Sequence, residues 1–305
     1  MKYCTFSVGN ENKQRIGAAS KDFVVDLEQA AAGKWSGAFP VSLLALIQAG
    51  PDAWKRANEI AANAFTGKPA SATYALDKVT LHAPIPRPTK NVFCVGLNYA
   101  KHAQESSAAR GKPVKLPEVP VFFSKSPNTV NGPFDDVPWE RRATSEVDYE
   151  VELGVVIGST GKNIARADAL KHVFGYTVIN DVSARDAQMK HGQFFKGKSM
   201  DGFCPMGPVI VTADEFGDPQ NKALACRVNG DQRQNSNTSD MIFAVNAIIE
   251  WLSLGLTLEP GDVIATGTPE GVGLGRTPPE YLKDGDVVEA EVEGIGTIRN
   301  KIRAL

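Results

Sequence analysis

Asp148-Tyr149-Glu150-Val151-Glu152-Leu153-Gly154-Val155-Val156-Ile157-Gly158 is the stretch around which the rest of the chain is organised. Its alternation predicts a strand, with Tyr149, Val151, Leu153 and Val155 on one face and Asp148, Glu150 and Glu152 on the other. Residues i and i+2 of a strand stand roughly 6.5–7 Å apart, so two Glu side chains can converge on one cation. Three neighbouring carboxylates repel one another unless positive charge lies among them. An isolated Glu-x-Glu is more often the solvated face of an antiparallel strand. This one runs straight on into an apolar, buried-looking segment, and acids at the mouth of such a strand point to a metal site.

A third ligand is found downstream. Gly175-Tyr176-Thr177-Val178-Ile179-Asn180-Asp181 reads as a strand ending in an acid. Asp181 alone serves equally well as a cap on the following turn. With Glu150 and Glu152 it makes an all-oxygen set suited to a hard cation, Mg²⁺, Mn²⁺ or Ca²⁺. The absence of histidine from the set argues against zinc.

Composition sets the frame. The chain has 305 residues, 42% of them hydrophobic and 22% charged, with a formal net charge of -2. That length holds a sizeable core and two domains. The charge offers no basic field to nucleic acid or to an anionic membrane. No apolar run approaches the ~20 residues needed to span a bilayer. Met1 to Ser7 reads as a first strand and not as a signal peptide. Cys4, Cys94, Cys204 and Cys226 are widely spread, as expected of reduced, buried thiols in a cytosolic protein.

Residues 1–80 predict a small α/β unit. Its helices run from Val41 to Gln48 and, with Asp52 as cap, from Ala53 to Phe65. Residues 81–90, with Pro84, Pro86 and Pro88, predict an extended linker in which His82 is a packing or surface residue. Residues 91–305 predict a strand-rich domain. Within it, Asn98 could cap a short helix placing His102 and Glu105 at i and i+3 on one face. Ser106 to Pro120 reads as a mobile surface loop. A short helix is expected from Arg166 to Phe174, and a longer one from Asp240 to about Leu254 behind a Ser239 cap. Asn229-Gly230 is the strongest hairpin signal. Thr266-Gly267-Thr268-Pro269-Glu270-Gly271-Val272-Gly273-Leu274-Gly275 follows a strand but lacks the Gly-Lys-Ser/Thr ending of a nucleotide loop. Its backbone N–H groups and threonine hydroxyls could hold a carboxylate, or it is a plain tight turn.

Four motifs together resemble one family. Asp-Tyr-Glu-Val-Glu-Leu, Asn-Asp-Val-Ser-Ala-Arg-Asp-Ala-Gln, Gly-Lys-Ser-Met-Asp-Gly-Phe-Cys-Pro-Met-Gly-Pro and Thr-Gly-Thr-Pro-Glu-Gly-Val-Gly occur in the order and spacing of the fumarylacetoacetate hydrolase family, over about residues 80–305. The resemblance implies a mixed β-roll, usually a homodimer, binding Mg²⁺ or Mn²⁺ and cleaving or isomerising 2-oxo acids. The first 80 residues look like the small domain of bacterial two-domain members of the oxaloacetate decarboxylase type.

Carried onto this chain, the family's metal ligands fall on Glu150, Glu152 and Asp181. Its active-site lysine falls on Lys198, its substrate-side polar residues on Arg185 and Gln188, and its carboxylate-holding Thr-Gly on Thr268 and Gly267. His102 and Glu105 match the pair that activates water in hydrolytic members. Cleavage beside a keto group leaves an enolate, where a cation and Lys198 would oppose the developing negative charge. His102 is the candidate general base, while His172 and His191 lack an acidic partner.

The expectation is therefore a metal-dependent enzyme of a small 2-oxo acid. The reaction would be C–C cleavage, by oxaloacetate decarboxylation or acylpyruvate-type hydrolysis. An isomerase or tautomerase of a 2-oxo dioate is the rival enzyme, and a binding protein on a retired catalytic fold is the rival outside enzymes.

Overall fold

The computed structural model describes residues 1–305 apart from Asn10, Lys68, Ala70 and Lys112. Its frame is one large mixed sheet. The strands lie in the order Thr73–Ala75, Phe23–Asp26, Arg15–Ala19, Lys2–Val8, Cys204–Thr212, Val173–Asn180, Val151–Ile157, Val263–Ala265, Val92–Gly96 and Val121–Lys125. A smaller sheet runs Asp231–Asn237, Ala223–Val228, Val287–Val292, Gly296–Ala304, Val137–Trp139. This is the strand-rich α+β architecture the sequence predicts.

The apolar alternation of Val151–Ile157 feeds two cores. Tyr149, Val151, Leu153 and Val155 pack towards the smaller sheet with Leu224, Ala290 and Ile298. Val156 faces the other way, into a core with Tyr3, Leu43, Ile47, Phe174 and Ile210. That second core contains residues of both halves of the chain. Lys2–Val8 pairs directly with Cys204–Thr212, and Val79–His82 pairs with Lys2–Val8. The division at residues 80/81 thus falls inside a strand, and Pro84 accepts a hydrogen bond from Thr5 at its carbonyl. His82, half-buried, shares a hydrogen bond with Ser7.

Local signals hold where no distant partner competes. Ser42 caps Leu43–Gln48, and Asn229 and Gly230 both take positive φ in the hairpin turn. The next helix spans Pro51–Gly67, starting one residue before Asp52. Proline's fixed φ and missing N–H suit a first helical position.

Other expectations give way to tertiary hydrogen bonds. Only a 3₁₀ turn, Ala169–His172, forms before the strand starting at Val173, which pairs along the acidic strand. The helix expected from Asp240 begins at Val245. Asn98 is the reason: its backbone and side-chain oxygens accept from Ile242 and Phe243, holding that segment out of the helix. Asn98 is consequently no cap, and the helix after it, Ala100–Ala109, starts behind Tyr99. Ser106 to Ala109 belong to this helix. Beyond it, Lys112 lies outside the described residues, and residues 113–120 form neither helix nor strand.

Candidate active site

The register of two strands builds the centre. Val151 pairs with Asn180 and Glu152 with Ile179, so the next residues outward, Glu150 and Asp181, meet at the end of the ladder. Asp181 N–H donates to the Glu150 carbonyl at 2.8 Å, and Glu150 N–H donates to Asn180 Oδ1 at 3.0 Å. Carboxylate oxygens of Glu150, Glu152 and Asp181 lie within 4.8 Å of one another, all buried.

Cations surround this triad. Lys198, at the end of the short helix Phe194–Lys198, donates to Glu150 Oε2 at 2.7 Å and Asp181 Oδ2 at 2.8 Å. Lys125, fully buried, donates to Asp181 Oδ1 at 2.6 Å and to the Val182 carbonyl. Arg185 reaches Glu150 Oε1 at 2.7 Å and Asp148 Oδ2 at 2.8 Å, and donates to Gln188 Oε1.

Asp148 does not join Glu150 and Glu152 on one face. The strand breaks after Asp148, because its carboxylate is drawn to Arg185 and to the backbone N–H groups of Gly273 and Leu274. The glycine-rich stretch does hold carboxylates, and they belong to the protein. Gly267 N–H donates to Glu152 at 2.7 Å, Gly271 N–H to Glu105 at 2.9 Å, and Gly273 N–H to Asp148 at 2.7 Å. Thr268 Oγ1 donates to the Val151 carbonyl and accepts from Gln234. Gly267 and Thr268 thus already have partners within the chain.

Charge balance bears on what the triad can take. Four buried carboxylates (Asp148, Glu150, Glu152, Asp181) face three buried cations (Lys125, Arg185, Lys198). Burial opposes ionisation of Glu150, but Lys198 and Arg185 outweigh it and lower its pKa. Burial, then Asp181 and Glu150, push the Glu152 carboxyl well above the usual range. A carboxyl so raised favours its protonated form, and three converging buried carboxylate groups are the donor set a hard divalent cation takes in place of that proton, so the residues fit such an ion.

His102 Nδ1 lies 2.9 Å from Glu105 Oε1. Glu105 Oε2 accepts from the Gly271 N–H, and with Oε1 accepting from Nδ1–H the imidazole presents Nε2 as its proton-free nitrogen. His102, Lys198, Arg185, Gln188, Thr268 and Glu150 all line one narrow cleft. Glu105 braces it from behind. Sequence reasoning assigned no part to Lys125 or Gln234, and set Asp148 with Glu150 and Glu152 on the acidic face of the strand. The Val121–Phe123–Lys125 alternation, a lysine on an apolar face, was the available signal for the first.

Sheet and carboxylates together define a frame that could hold a divalent cation beside a lysine and a braced histidine. Comparison supplies the particular family. The description "Fumarylacetoacetate (FAA) hydrolase C-terminal" matches residues 91–303, and the chain belongs to the fumarylacetoacetate hydrolase family. It is 51% identical over 232 residues, 76% of each chain, to oxaloacetate tautomerase YisK of Bacillus subtilis (strain 168). A mitochondrial oxaloacetate tautomerase of Homo sapiens is 48% identical over 74% of this chain and 70% of its own. A solved fumarylacetoacetate hydrolase from Exiguobacterium antarcticum, 40% identical, superposes with a TM-score of 0.81 over the whole of both chains. A maleylpyruvate hydrolase from Sphingobium, solved with manganese(II) and pyruvate, is 30% identical with a TM-score of 0.76, covering 100% of this chain and 99% of its own. These relatives are enzymes by name, of tautomerase and hydrolase type.

Proposed function

We propose that the protein is a divalent-metal-dependent tautomerase of a small 2-oxo dicarboxylic acid of the oxaloacetate type, interconverting keto and enol forms. One juxtaposition carries the reading: the His102 imidazole, braced by Glu105, opens into the same cleft as the Lys198 ammonium and Glu150. The tautomerases at 51% and 48% identity support it.

A cation held by Glu150, Glu152 and Asp181, Mg²⁺ or Mn²⁺ with Ca²⁺ as a substitute, would supply Lewis-acid polarisation of the 2-oxo group. The chain's own residues do the rest. Arg185 and Gln188, three apart on the helix Arg185–Lys190, orient the acid end of the substrate. Lys198 Nζ sets positive charge and N–H donors where the oxo oxygen becomes negative. His102 Nε2 takes the proton from the adjacent carbon, and the oxygen gains one, giving the enol; the reverse restores the ketone. No water is consumed. The cleft, about 20 Å³, has room for about one water molecule, which suits a small substrate and requires its walls to give way on entry.

C–C cleavage is the second reading. The same braced imidazole can deprotonate water, and the likeness to a maleylpyruvate hydrolase favours it. The deciding experiment follows oxaloacetate with Mg²⁺ or Mn²⁺ by enol absorbance and by pyruvate release. Faster loss of enol without pyruvate is the expected result. Pyruvate appearing at the catalysed rate, or hydrolysis of an acylpyruvate with no effect on the enol, overturns it. A homodimer and a cytosolic setting remain part of the proposal, the first tested by sedimentation at micromolar concentration.

A further inference from the structure

His102, Ser106 and Arg110 recur every four residues along Ala100–Ala109 and its C-terminal cap, and all three line the cleft. Positions four apart share a helix face. The first is the candidate base, which places the last about two turns further along the same wall.

Arg110 differs from the other cations there. Arg185 is matched by Asp148 and Glu150, and Lys198 by Glu150 and Asp181. Among the described residues Arg110 has no carboxylate within 4.0 Å. Its guanidinium lies over the Phe194 ring, 5.9 Å from the centroid. Its Nε is buried with no hydrogen-bond partner. Burial, and the like charge of Arg185, lower its pKa from the usual arginine value. A desolvated guanidinium with an unused donor is costly unless an anion completes it, and its planar fork matches a carboxylate.

We propose that Arg110 binds the distal carboxylate of the substrate and makes the cleft selective for dicarboxylic over monocarboxylic 2-oxo acids. This rests on the functional reading above. The acid end next to the oxo group belongs with Arg185 and Gln188, and Arg110 supplies the only cation lining the cleft that is unmatched among the described residues. Arg110 is then a specificity residue, taking no part in proton transfer.

The test uses the full chain loaded with Mn²⁺, as wild type, Arg110→Gln and Arg110→Lys, with melting curves to confirm folding. Malate and lactate are an unreactive pair of 2-hydroxy acids that differ by the distal carboxylate, and calorimetry gives the affinity for each. Arg110→Gln should weaken malate by about 10–100-fold, the loss of a charge-assisted hydrogen-bonded pair, and leave lactate within about 2-fold. Arg110→Lys should fall between, keeping the charge without the fork. Equal weakening of both acids, or of neither, overturns the proposal and leaves Arg110 a packing residue on Phe194. A parallel kinetic arm reads KM for oxaloacetate against deuterium exchange into pyruvate, where only the former should rise. Because malate and lactate do not react, the binding arm stands apart from the reaction. A wild type that does not accelerate enol loss sinks the tautomerase reading, while a malate preference that vanishes in Arg110→Gln still upholds the subsite.

Discussion

Removing a carboxylate from the triad should have unequal consequences for the metal-free fold depending on which one is removed. Asp181 serves two buried ammoniums, Lys125 at 2.6 Å and Lys198 at 2.8 Å. Taking one partner from a buried ion pair costs about 3–5 kcal/mol. At about 2 °C per kcal/mol for a long chain, Asp181→Asn should lower the melting temperature by roughly 6–10 °C. Glu152 stands differently. Among the described residues it has no ion pair; it accepts one backbone N–H from Gly267 and faces the like charges of Asp181 and Glu150. Burial and those charges favour its protonated form, which a neutral amide of the same shape resembles, so Glu152→Gln should change stability by less than about 1 kcal/mol or raise it. Both variants should lose tight Mn²⁺ binding, since each removes a ligand charge. The assay is calorimetric melting of chelator-treated proteins at neutral pH, paired with Mn²⁺ titration. An equal fall in melting temperature for both, or a larger one for Glu152→Gln, refutes the charge assignment made from these contacts.

Exhaustive chelation should abolish turnover and Mg²⁺ or Mn²⁺ should restore it; activity that survives chelation removes the metal from the reaction. His102→Ala should slow tautomerisation by about 10²–10⁴-fold, the usual contribution of a positioned base. Glu105→Ala should follow it closely, because Glu105 also fixes Gly271; unchanged rates in either would show that the dyad is not the proton carrier. A chain beginning near Leu81 loses Lys2–Val8, the partner of Cys204–Thr212, and the half of a shared core that holds Leu43 and Ile47. It should aggregate on expression, and a monodisperse, Mn²⁺-binding truncation would show instead that the catalytic unit folds alone.

The alternation around Val151 determined its strand and the two faces it presents, because side-chain direction repeats every two residues whatever the partner. The motifs placed Glu150, Glu152, Asp181, Lys198 and Arg185 as candidates, and folding brings all five together. His102 and Glu105 were legible as a pair since three residues on a helix are a local distance. The strand register was not legible: only the Val151–Asn180 pairing sets Asp181 beside Glu150 across some thirty residues. Nor were the partners of the glycine-rich stretch. Its N–H groups read as a place for a substrate carboxylate, and tertiary packing fills them with Glu152, Glu105 and Asp148. Asn98 looked like a cap by composition, yet its oxygens hold Ile242 and Phe243. Lys125 and Arg110 differ by what surrounds them, a fixed carboxylate for one and an open donor for the other. Residue type and spacing declare which groups can bear charge and along which face they point, but which opposite charge meets them depends on chain segments far away in sequence, and only the folded sheet brings those together.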